Sequence, residues 1–387
     1  MKKFLAGVLA LAMAASLMTA CGGDASTASG EKVIRIGVFE PLTGENGGGG
    51  YQEVLGMRYA NTVYPTVTVG GEEYTIELVE ADNKSDKTEA VTAAQSLISK
   101  GVVGVLGSYG SGVSIAAGDT FKQAQVPAIG ASCTNPQVTL GNDFYFRTCY
   151  LDPFQGTVMA AFALEDGAKS AAILTQLGDD YSSGLGAFFK EAFTKAGGTV
   201  VEENFQTNQT DFKAVLTNIK AANPDVLFAP SSIATAPLII KQARELGLTC
   251  KIMAGDTWEN GTIIDNAGAD AEGVCLSTFF DDAAPGTQEA KSFVKGFKQY
   301  LVDNKQPETI PAVSALGYDA YLALYKAIQA ADSTDPVAIR DALKTLSYDG
   351  VTGTISFNEN GDANKDTAFI KEIKDGQFKF IKTVTVG

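Results

Sequence analysis

Residues 86–107 read DKTEAVTAAQSLISKGVVGVLG, and this stretch carries the strongest evidence for the fold class. Asp86 and Glu89 are spaced like a helix capping box, and Gly101 is suited to end the helix. Between them, apolar residues recur at the spacing of one helix face: Ala90, Val91, Ala94, Leu97 and Ile98. Residues 102–106 are continuously apolar apart from one glycine, as in a strand whose two faces are covered by helices. The stretch therefore predicts a helix and a buried strand of an α/β fold.

The same alternation continues on both sides of this stretch. Toward the N-terminus, the pattern predicts strands at 33–39 and 75–80 with a helix at 51–64 between them. Toward the C-terminus, it predicts a helix that ends at Gln123 and a strand at 126–130. Because parallel strands need crossover connections, this order predicts a doubly wound parallel sheet.

A second unit of the same kind begins at Ala168. Its predicted strands are 171–174, 199–205, 226–229, 250–254 and 273–279, and its predicted helices are 184–196, 211–222 and 236–246. Three further helices are predicted at 288–302, 313–330 and 336–346, and the strand-rich end of the chain covers 353–386. A chain of 387 residues is too long for one hydrophobic core, so the repeated unit predicts two lobes.

Ligands of open α/β sheets bind beyond the carboxyl ends of the strands. In the first unit, the loops at those ends are 41–50, 107–112 and 131–136; in the second unit, they are 178–183, 230–232 and 255–261. The sequence therefore predicts a ligand site between two facing sets of loops, in the manner of a clamp.

The N-terminus has the features of an export signal. Lys2 and Lys3 precede an apolar run, 4–17, that is too short for a permanent membrane span. Small residues then precede Cys21, and this arrangement resembles a bacterial lipobox, in which the cysteine is lipidated after cleavage. The resemblance implies a signal peptide at 1–20 and a lipidated, flexible tether at 21–32 that holds the protein at the outer face of the cell membrane. The alternative is an ordinary signal peptide with an incidental cysteine.

Composition excludes several functional classes. The net charge of −15 argues against binding nucleic acid or anionic lipid through bulk charge. The sequence contains no histidine, which removes Ser-His-Asp triads, Cys-His pairs and histidine-based zinc sites. There is no Gly-x-Ser-x-Gly elbow, and the glycine-rich loop 107–112 lacks the lysine of a phosphate-binding loop. We therefore expect a binding protein with no catalytic residues, no metal and no cofactor.

Four cysteines remain when Cys21 is set aside. Outside the cytoplasm a disulfide bond is possible, and Cys250 with Cys275, on successive predicted strands, is the pair that we favour. A pair of Cys133 with Cys149 is left open, and four free, buried thiols are the alternative.

Several segments together resemble the branched-chain amino-acid-binding proteins, the leucine/isoleucine/valine-type substrate-binding components of ABC transporters. They are 36–44, 104–112, 132–136, 210–226, 315–320 and 353–362, and they follow the order of that family. The resemblance implies a type I periplasmic binding fold, with two doubly wound parallel-sheet lobes joined by three crossovers near 148–152, 276–280 and 349–352. The first lobe would contain 33–149 plus 279–350, and the second lobe 150–278 plus 351–387.

The resemblance also implies the ligand site. Ser111 opens a predicted helix and, with Thr134 and the backbone of Ser132, would hold the carboxylate and part of the ammonium of an amino acid. Asp256 would hold the ammonium across the cleft, with a reach one methylene shorter than the family's glutamate. Tyr181 matches the cleft tyrosine of the family. Plain capping and turn roles are the alternatives for these residues.

Two departures concern the side-chain pocket. Four glycines at 47–50 and the segment 231–233 stand where relatives carry aromatic residues, which should enlarge or wet the pocket. Tyr109, Tyr150 and Trp258 are the candidates to refill it. The resemblance thus implies a monomeric carrier that delivers an amino acid, branched-chain or related, to an ABC permease. A sensor of the same fold, or a binder of an amide or urea-like solute, is the alternative.

Overall fold

The computed structural model describes residues 32–385, so the predicted signal peptide, Cys21 and nearly all of the predicted tether lie outside the described residues. The strands are β1 (Val33–Glu40), β2 (Thr66–Val69), β3 (Glu72–Asp82), β4 (Gly104–Leu106), β5 (Ala128–Gly130), β6 (Tyr145–Arg147), β7 (Ser170–Leu177), β8 (Thr199–Gln206), β9 (Val226–Phe228), β10 (Lys251–Ala254), β11 (Cys275–Thr278), β12 (Ser347–Gly350), β13 (Gly353–Ser356), β14 (Thr367–Lys374) and β15 (Gln377–Thr385). The α-helices are α1 (Gly47–Val63), α2 (Lys87–Ser99), α3 (Ser111–Gln123), α4 (Asp152–Glu165), α5 (Asp180–Lys195), α6 (Lys213–Ala222), α7 (Ala236–Glu245), α8 (Gly261–Ala267), α9 (Gln288–Asp303), α10 (Ala312–Ala331) and α11 (Pro336–Leu343).

The first sheet has six strands in the order β2-β3-β1-β4-β5-β6 and is parallel except for the β2–β3 hairpin. Strands β4, β5 and β6 are buried throughout and β1 over most of its length, as expected of strands covered by helices on both faces, whereas β2 and β3 at the edge are partly exposed. Ile36 and Val38 of β1 pack in one core with α1 and α10, whereas Phe39 packs in a second core with α2 and α3. The doubly wound arrangement predicted for the first lobe is confirmed.

Helices from the later part of the chain complete the first lobe. Helix α10 packs directly on α1, and two glycines allow the close approach. A Cβ at Gly56 would overlap the carbonyl of Ser314, and a Cβ at Gly317 would overlap the carbonyl of Glu53. The two backbones therefore touch, and a larger residue at either glycine would force the helices apart.

The second sheet has seven strands in the order β15-β14-β11-β10-β9-β7-β8. Strands β7 to β11 are parallel, and the antiparallel pair β14–β15 adds to the edge at β11. The chain passes between the two sheets after β6, after β11, and through the small β12–β13 hairpin. The architecture is the two-lobed α/β fold that the sequence predicts, and we retain the predicted lobe limits as a proposal. Along residues 32–385, none of the helices combines the length and apolar character that crossing a bilayer requires.

The predicted Cys250–Cys275 disulfide is wrong. All four cysteines in the described residues are free thiols. In the parallel pairing of β10 with β11, Met253 is opposite Cys275, so Cys250 is offset by three residues along the strand direction. Three residues correspond to roughly 10 Å, beyond the Cα separation that a disulfide can bridge.

Helix α1 begins at Gly47, four residues earlier than predicted. Residues 47–50 belong to its first turn instead of a loop, although glycine has a low helix propensity. Tertiary packing explains the difference, because a Cβ at Gly50 would overlap the carbonyl oxygen of Pro41. Close contact with the β1–α1 loop therefore favours glycine here and outweighs its intrinsic preference.

Candidate functional site

A small cavity lies between the carboxyl ends of the two sheets. Its free volume is about 10 Å³, the space of about one water molecule, so the two walls must separate to admit a solute. Loops of both lobes contribute its lining: Asn46, Tyr109, Gly110, Ser111, Ser132, Asp179, Tyr181, Ser232 and Thr257. Four of the residues predicted from the sequence line it directly, namely Tyr109, Ser111, Ser132 and Tyr181.

The two lobes contact each other around this cavity. The backbone N–H of Ile233 donates to Oδ1 of Asn46 at 3.1 Å, and the hydroxyl of Tyr109 donates to the carbonyl of Thr257 at 3.2 Å. The side chain of Asn135 also donates to the carbonyl of Asp180 at 2.8 Å. The arrangement is closed, and a ligand that binds both walls would stabilise it relative to an open form.

Ser111 is the first residue of α3. The preceding residue, Gly110, has a φ of 104°, a backbone conformation that favours glycine. The side chain of Ser111 is 1% exposed, and its Oγ accepts a hydrogen bond from the backbone N–H of Asn135 at 3.1 Å. The hydroxyl hydrogen remains available to donate into the cavity. The amino end of α3 adds backbone N–H groups and a positive dipole end, so this corner of the cavity suits a carboxylate.

Thr134 is fully buried next to the cavity, and its Oγ1 has no hydrogen-bond partner. Arg147 fixes the loop that carries it. The guanidinium donates to the carbonyls of Cys133 and Asn135, each at 2.7 Å, and to the carboxylate of Asp362 at 2.7 Å. The two carbonyls flank Thr134, so this buried cation holds the threonine in place from behind.

The hydroxyl of Ser132 is hydrogen-bonded to another side chain of the protein. It donates to Glu53, a fully buried residue of α1, which leaves the Ser132 backbone as the group available to a ligand. Glu40 lies beside Glu53 and accepts from the backbone N–H of Tyr109 at 2.7 Å. Burial raises the pKa of Glu53 to about 7 and raises the pKa of Glu40 well above its usual range, with the neighbouring Glu53 adding to the effect on Glu40. The glutamate pair therefore retains a proton at neutral pH.

Tyr181 lines the second wall of the site, and the buried Asp256 is its hydrogen-bond partner. The hydroxyl of Tyr181 donates to Oδ1 of Asp256 at 3.0 Å, and Nε2 of Gln155 donates to the same oxygen at 2.7 Å. Burial is the largest influence on Asp256 and raises its pKa to about 6, although both hydrogen bonds act in the opposite direction. A cation bound beside this carboxylate would favour its ionised form.

The three aromatic candidates have different positions. The ring of Tyr109 lies against Gly49, where any Cβ would overlap it, so this tyrosine occupies space that the glycines leave free. Tyr150 packs against Phe279 with ring centroids 4.4 Å apart and lines a groove at the crossovers instead of the cavity. Trp258 is fully buried and donates through Nε1 to a backbone carbonyl at 3.2 Å. The structure therefore brings only Tyr109 of the three to the cavity lining.

Some lining residues were not predicted. One of them is Asp179, whose side chain caps α5 by accepting from the backbone N–H groups of Tyr181 and Ser182. Burial raises the pKa of Asp179 to about 6. An Asp directly before a helix was a usable signal for this cap. The linear pattern around Glu53 offered no comparable signal, because its burial depends on the packing of α1 against the rest of the lobe.

The cavity lining contains carboxyl, hydroxyl and amide groups but no lysine or arginine. Among residues 32–385, there is no cluster of three or more Cys, Asp or Glu side chains arranged to hold a metal ion. The chemistry available is therefore hydrogen bonding to a carboxylate at one corner and charge neutralisation of a cation at the other.

Comparisons with known proteins agree with a two-lobed fold that binds a small solute. A family model described as "Periplasmic binding protein" matches residues 33–377. A leucine binding protein from Thermotoga maritima is 35% identical, with a TM-score of 0.86 over 91% of this chain and 99% of that one. A branched-chain amino acid substrate binding protein from Streptococcus pneumoniae, crystallised with isoleucine, is 27% identical, with a TM-score of 0.83 over 92% of this chain and all (100%) of that one. The Leu/Ile/Val-binding protein homolog 1 of Brucella melitensis is 29% identical over 85% of this chain and 87% of its own length.

Proposed function

Because this chain belongs to the periplasmic binding protein family, we propose that it captures a free amino acid, branched-chain or related, between its lobes and delivers it to the permease of an ABC importer. One observation carries the proposal: the cavity lining offers the hydroxyl of Ser111 on one wall and, on the other, Tyr181, whose hydroxyl donates to the buried carboxylate of Asp256. These are complementary to the two charged ends of an amino acid. The relatives named for leucine, isoleucine and valine support the same ligand class.

The absence of a basic side chain from the cavity lining favours an amino acid over a simple carboxylic acid. A carboxylate without an ammonium would enter a site that already contains Asp179 and Asp256 nearby, with no protein cation to balance the added charge. An amide or urea-like solute is the second candidate, since neutral N–H donors could also bind these acceptors. A ligand sensor would use the same closed and open forms. A permease and an ATPase encoded beside the gene would favour transport.

The proposal places the protein outside the cytoplasm, as is typical of its family. In our proposal, a lipid on Cys21 anchors it and the short segment up to Lys32 tethers the clamp near its permease, with the protein acting as a monomer. A Cys21→Ala variant should be released from the membrane fraction with its ligand affinity unchanged. Retention of this variant in the membrane, or loss of affinity, would contradict the separation of anchor from clamp.

The binding experiment uses protein freed of bound ligand by unfolding and refolding. A thermal-shift screen against the twenty common amino acids, small amides and small carboxylates should identify a ligand by mass action, since it stabilises only the folded form. We expect at least one amino acid, with a branched aliphatic side chain or a close relative, to raise the melting temperature. Recovery of that ligand unchanged after prolonged incubation would support binding without catalysis. A response to amides or carboxylates alone would contradict the amino acid assignment.

A further inference from the structure

Glu40 and Glu53 form a buried carboxyl pair behind the cavity wall of the first lobe. Glu40 is the last residue of β1, Glu53 lies in α1, and both side chains are fully buried. Their carboxyl groups are within hydrogen-bonding contact of each other. We propose that the two glutamates share one proton and, through it, position the two first-lobe loops that line the cavity. The pair touches no ligand, but the effect on affinity that we expect from it rests on the proposed function.

Each glutamate holds one of the two loops. Oε2 of Glu40 accepts from the backbone N–H of Tyr109 at 2.7 Å, and Oε1 of Glu53 accepts from the hydroxyl of Ser132. Both Tyr109 and Ser132 line the cavity. The loop after β4 also packs on the pair, because a Cβ at Gly107 would overlap Oε1 of Glu40. The pair therefore connects the loops after β4 and β5 to β1 and α1.

The other oxygen of each glutamate requires a proton to be satisfied. Oε1 of Glu40 and Oε2 of Glu53 are buried, and no other group of the protein donates to them. Ionised carboxylates only accept hydrogen bonds, so two of them in contact would repel and leave both oxygens without a donor. A single proton between the two groups makes one of them a donor to the other. The geometry is thus that of one neutral and one ionised carboxyl group.

The groups around the pair do not replace this proton. Asp256, across the cavity wall, adds negative charge that raises the pKa of Glu53. The other titratable groups that face the pair have pKa values raised by burial and are neutral at neutral pH: Tyr109, Cys133, Tyr145 and Cys149. Among residues 32–385, the buried salt bridges involve neither glutamate; they are Arg147–Asp362 and Lys371–Glu259.

Loss of the shared proton should disturb the cavity wall. Burial raises the pKa of both glutamates, so the pair keeps one proton at neutral pH and loses it as the pH rises further. Two buried anions in contact then repel, and one carboxylate has to move away from Tyr109 or from Ser132. The second charge also opposes the carboxylate of an amino acid at the same wall. We therefore expect affinity for an amino acid to fall above neutral pH.

A purely structural role is the competing explanation. If the pair only fills space between β1 and α1, replacing either residue changes affinity by the same factor at every pH. If the pair acts through a shared proton, a residue that is always neutral and always a donor removes the pH dependence. The two explanations therefore differ in the pH profile of binding.

The affinity test compares wild-type protein with Glu40→Gln and Glu53→Gln by titration calorimetry at pH 7.5 and pH 9. The probe is the common L-amino acid that most raises the wild-type melting temperature. Glutamine has the shape of a protonated glutamate, and its amide donates to the remaining carboxylate at both pH values. We expect the rise in Kd between the two pH values to be roughly tenfold larger for wild type than for either variant. Glu77→Gln, at an exposed position of β3, is the matched control and should follow wild type.

Infrared difference spectroscopy tests the shared proton without a ligand. At pH 7.5, wild type should show the carbonyl stretch of a protonated carboxyl group that both glutamine variants lack. Each variant loses this signal because it leaves one ionised carboxylate beside an amide donor. The Glu77→Gln control should keep it. Persistence of the signal in Glu53→Gln would assign the proton to one glutamate alone and overturn the sharing.

The remaining outcomes also decide the inference. An equal change of Kd with pH in wild type and the glutamine variants would overturn it while leaving the proposed function intact. Failure of both variants to fold would overturn it as well, because glutamine reproduces the shape and the donor of a protonated glutamate; if one folds, that variant carries the comparison. Failure of wild type to bind any amino acid would overturn the proposed function and the effect on affinity, and the infrared measurement would still decide whether the proton is shared.

Discussion

The replacement Asp256→Asn distinguishes two effects of the buried aspartate charge: its penalty to the stability of the ligand-free protein and its contribution to ligand affinity. Asparagine has nearly the same shape as aspartate, and its side-chain oxygen can still accept from Tyr181 and Gln155, which donate to Asp256 at 3.0 and 2.7 Å. The variant therefore keeps the local packing and loses only the negative charge. Ligand-free stability and ligand affinity should then change in opposite directions.

The magnitudes follow from the burial of this carboxyl group. Its pKa is about 6 in the folded protein, against an ordinary value of 3.8. At pH 7.5, ionising it in the folded state therefore costs roughly 3 kcal/mol more than ionising it in water. The variant avoids this cost and should melt a few degrees higher without ligand. Losing a charge-assisted partner of the ammonium should weaken amino acid binding by about 1.5–3 kcal/mol, or roughly 10- to 150-fold in Kd.

Calorimetric titration and thermal melting on the same preparations measure both quantities. Asp265→Asn, at an exposed position of α8, is the control and should change neither. An amino acid Kd within about threefold of wild type, a difference below roughly 0.7 kcal/mol, would refute the reasoning that this charge faces the ligand. A lower melting temperature in the ligand-free variant would refute the claim that the charge is costly in the folded protein.

Three further outcomes follow from the same geometry. Ser111→Ala removes a hydroxyl donor and should weaken amino acid binding by about 1–3 kcal/mol in calorimetry; an unchanged Kd would exclude a ligand contact. Gly49→Val should displace the ring of Tyr109 and lower both stability and affinity, by about 1–3 kcal/mol, whereas Gly48→Ala, whose Cβ meets nothing closer than 3.4 Å, should not. The pKa of Asp256 is raised in the folded state, so the folded protein binds more protons than the unfolded chain between about pH 4 and 6, and this contribution to stability is lost as pH rises through about 6. The ligand-free melting temperature should therefore fall over this interval, and the drop should shrink when an amino acid is bound; a drop of equal size with ligand bound would argue against the assignment.

The parts of the fold that could be predicted from sequence are those in which local signals and tertiary packing agree. Helix α2 is an example: Asp86 caps it through the backbone N–H groups of Thr88 and Glu89, as expected from their spacing. The second half of the predicted capping box did not form, because the Glu89 side chain pairs with Lys84 at 3.2 Å.

Helix α4 and strand β6, which the sequence pattern did not predict, lack a local signal. Helix α4 is buried along most of its length, so it has little of the polar and apolar alternation that identifies a helix on a protein surface. Strand β6 has only three residues, too few for a recognisable pattern. The same limit applies to the site: Ser111 and Tyr181 follow from loop position, whereas the burial of Glu53 beside Ser132 becomes visible only when α1 is packed against the loop that carries Ser132.

The central claim is that the clamp binds an amino acid by both of its charged ends. Calorimetric titration of ligand-free wild-type protein tests it most directly, using the best amino acid, its methyl ester and its deaminated acid in parallel. We predict strong binding of the amino acid and loss of at least tenfold in affinity, about 1.4 kcal/mol, for each of the two derivatives. Binding of the ester or of the deaminated acid as tightly as the amino acid would contradict the claim.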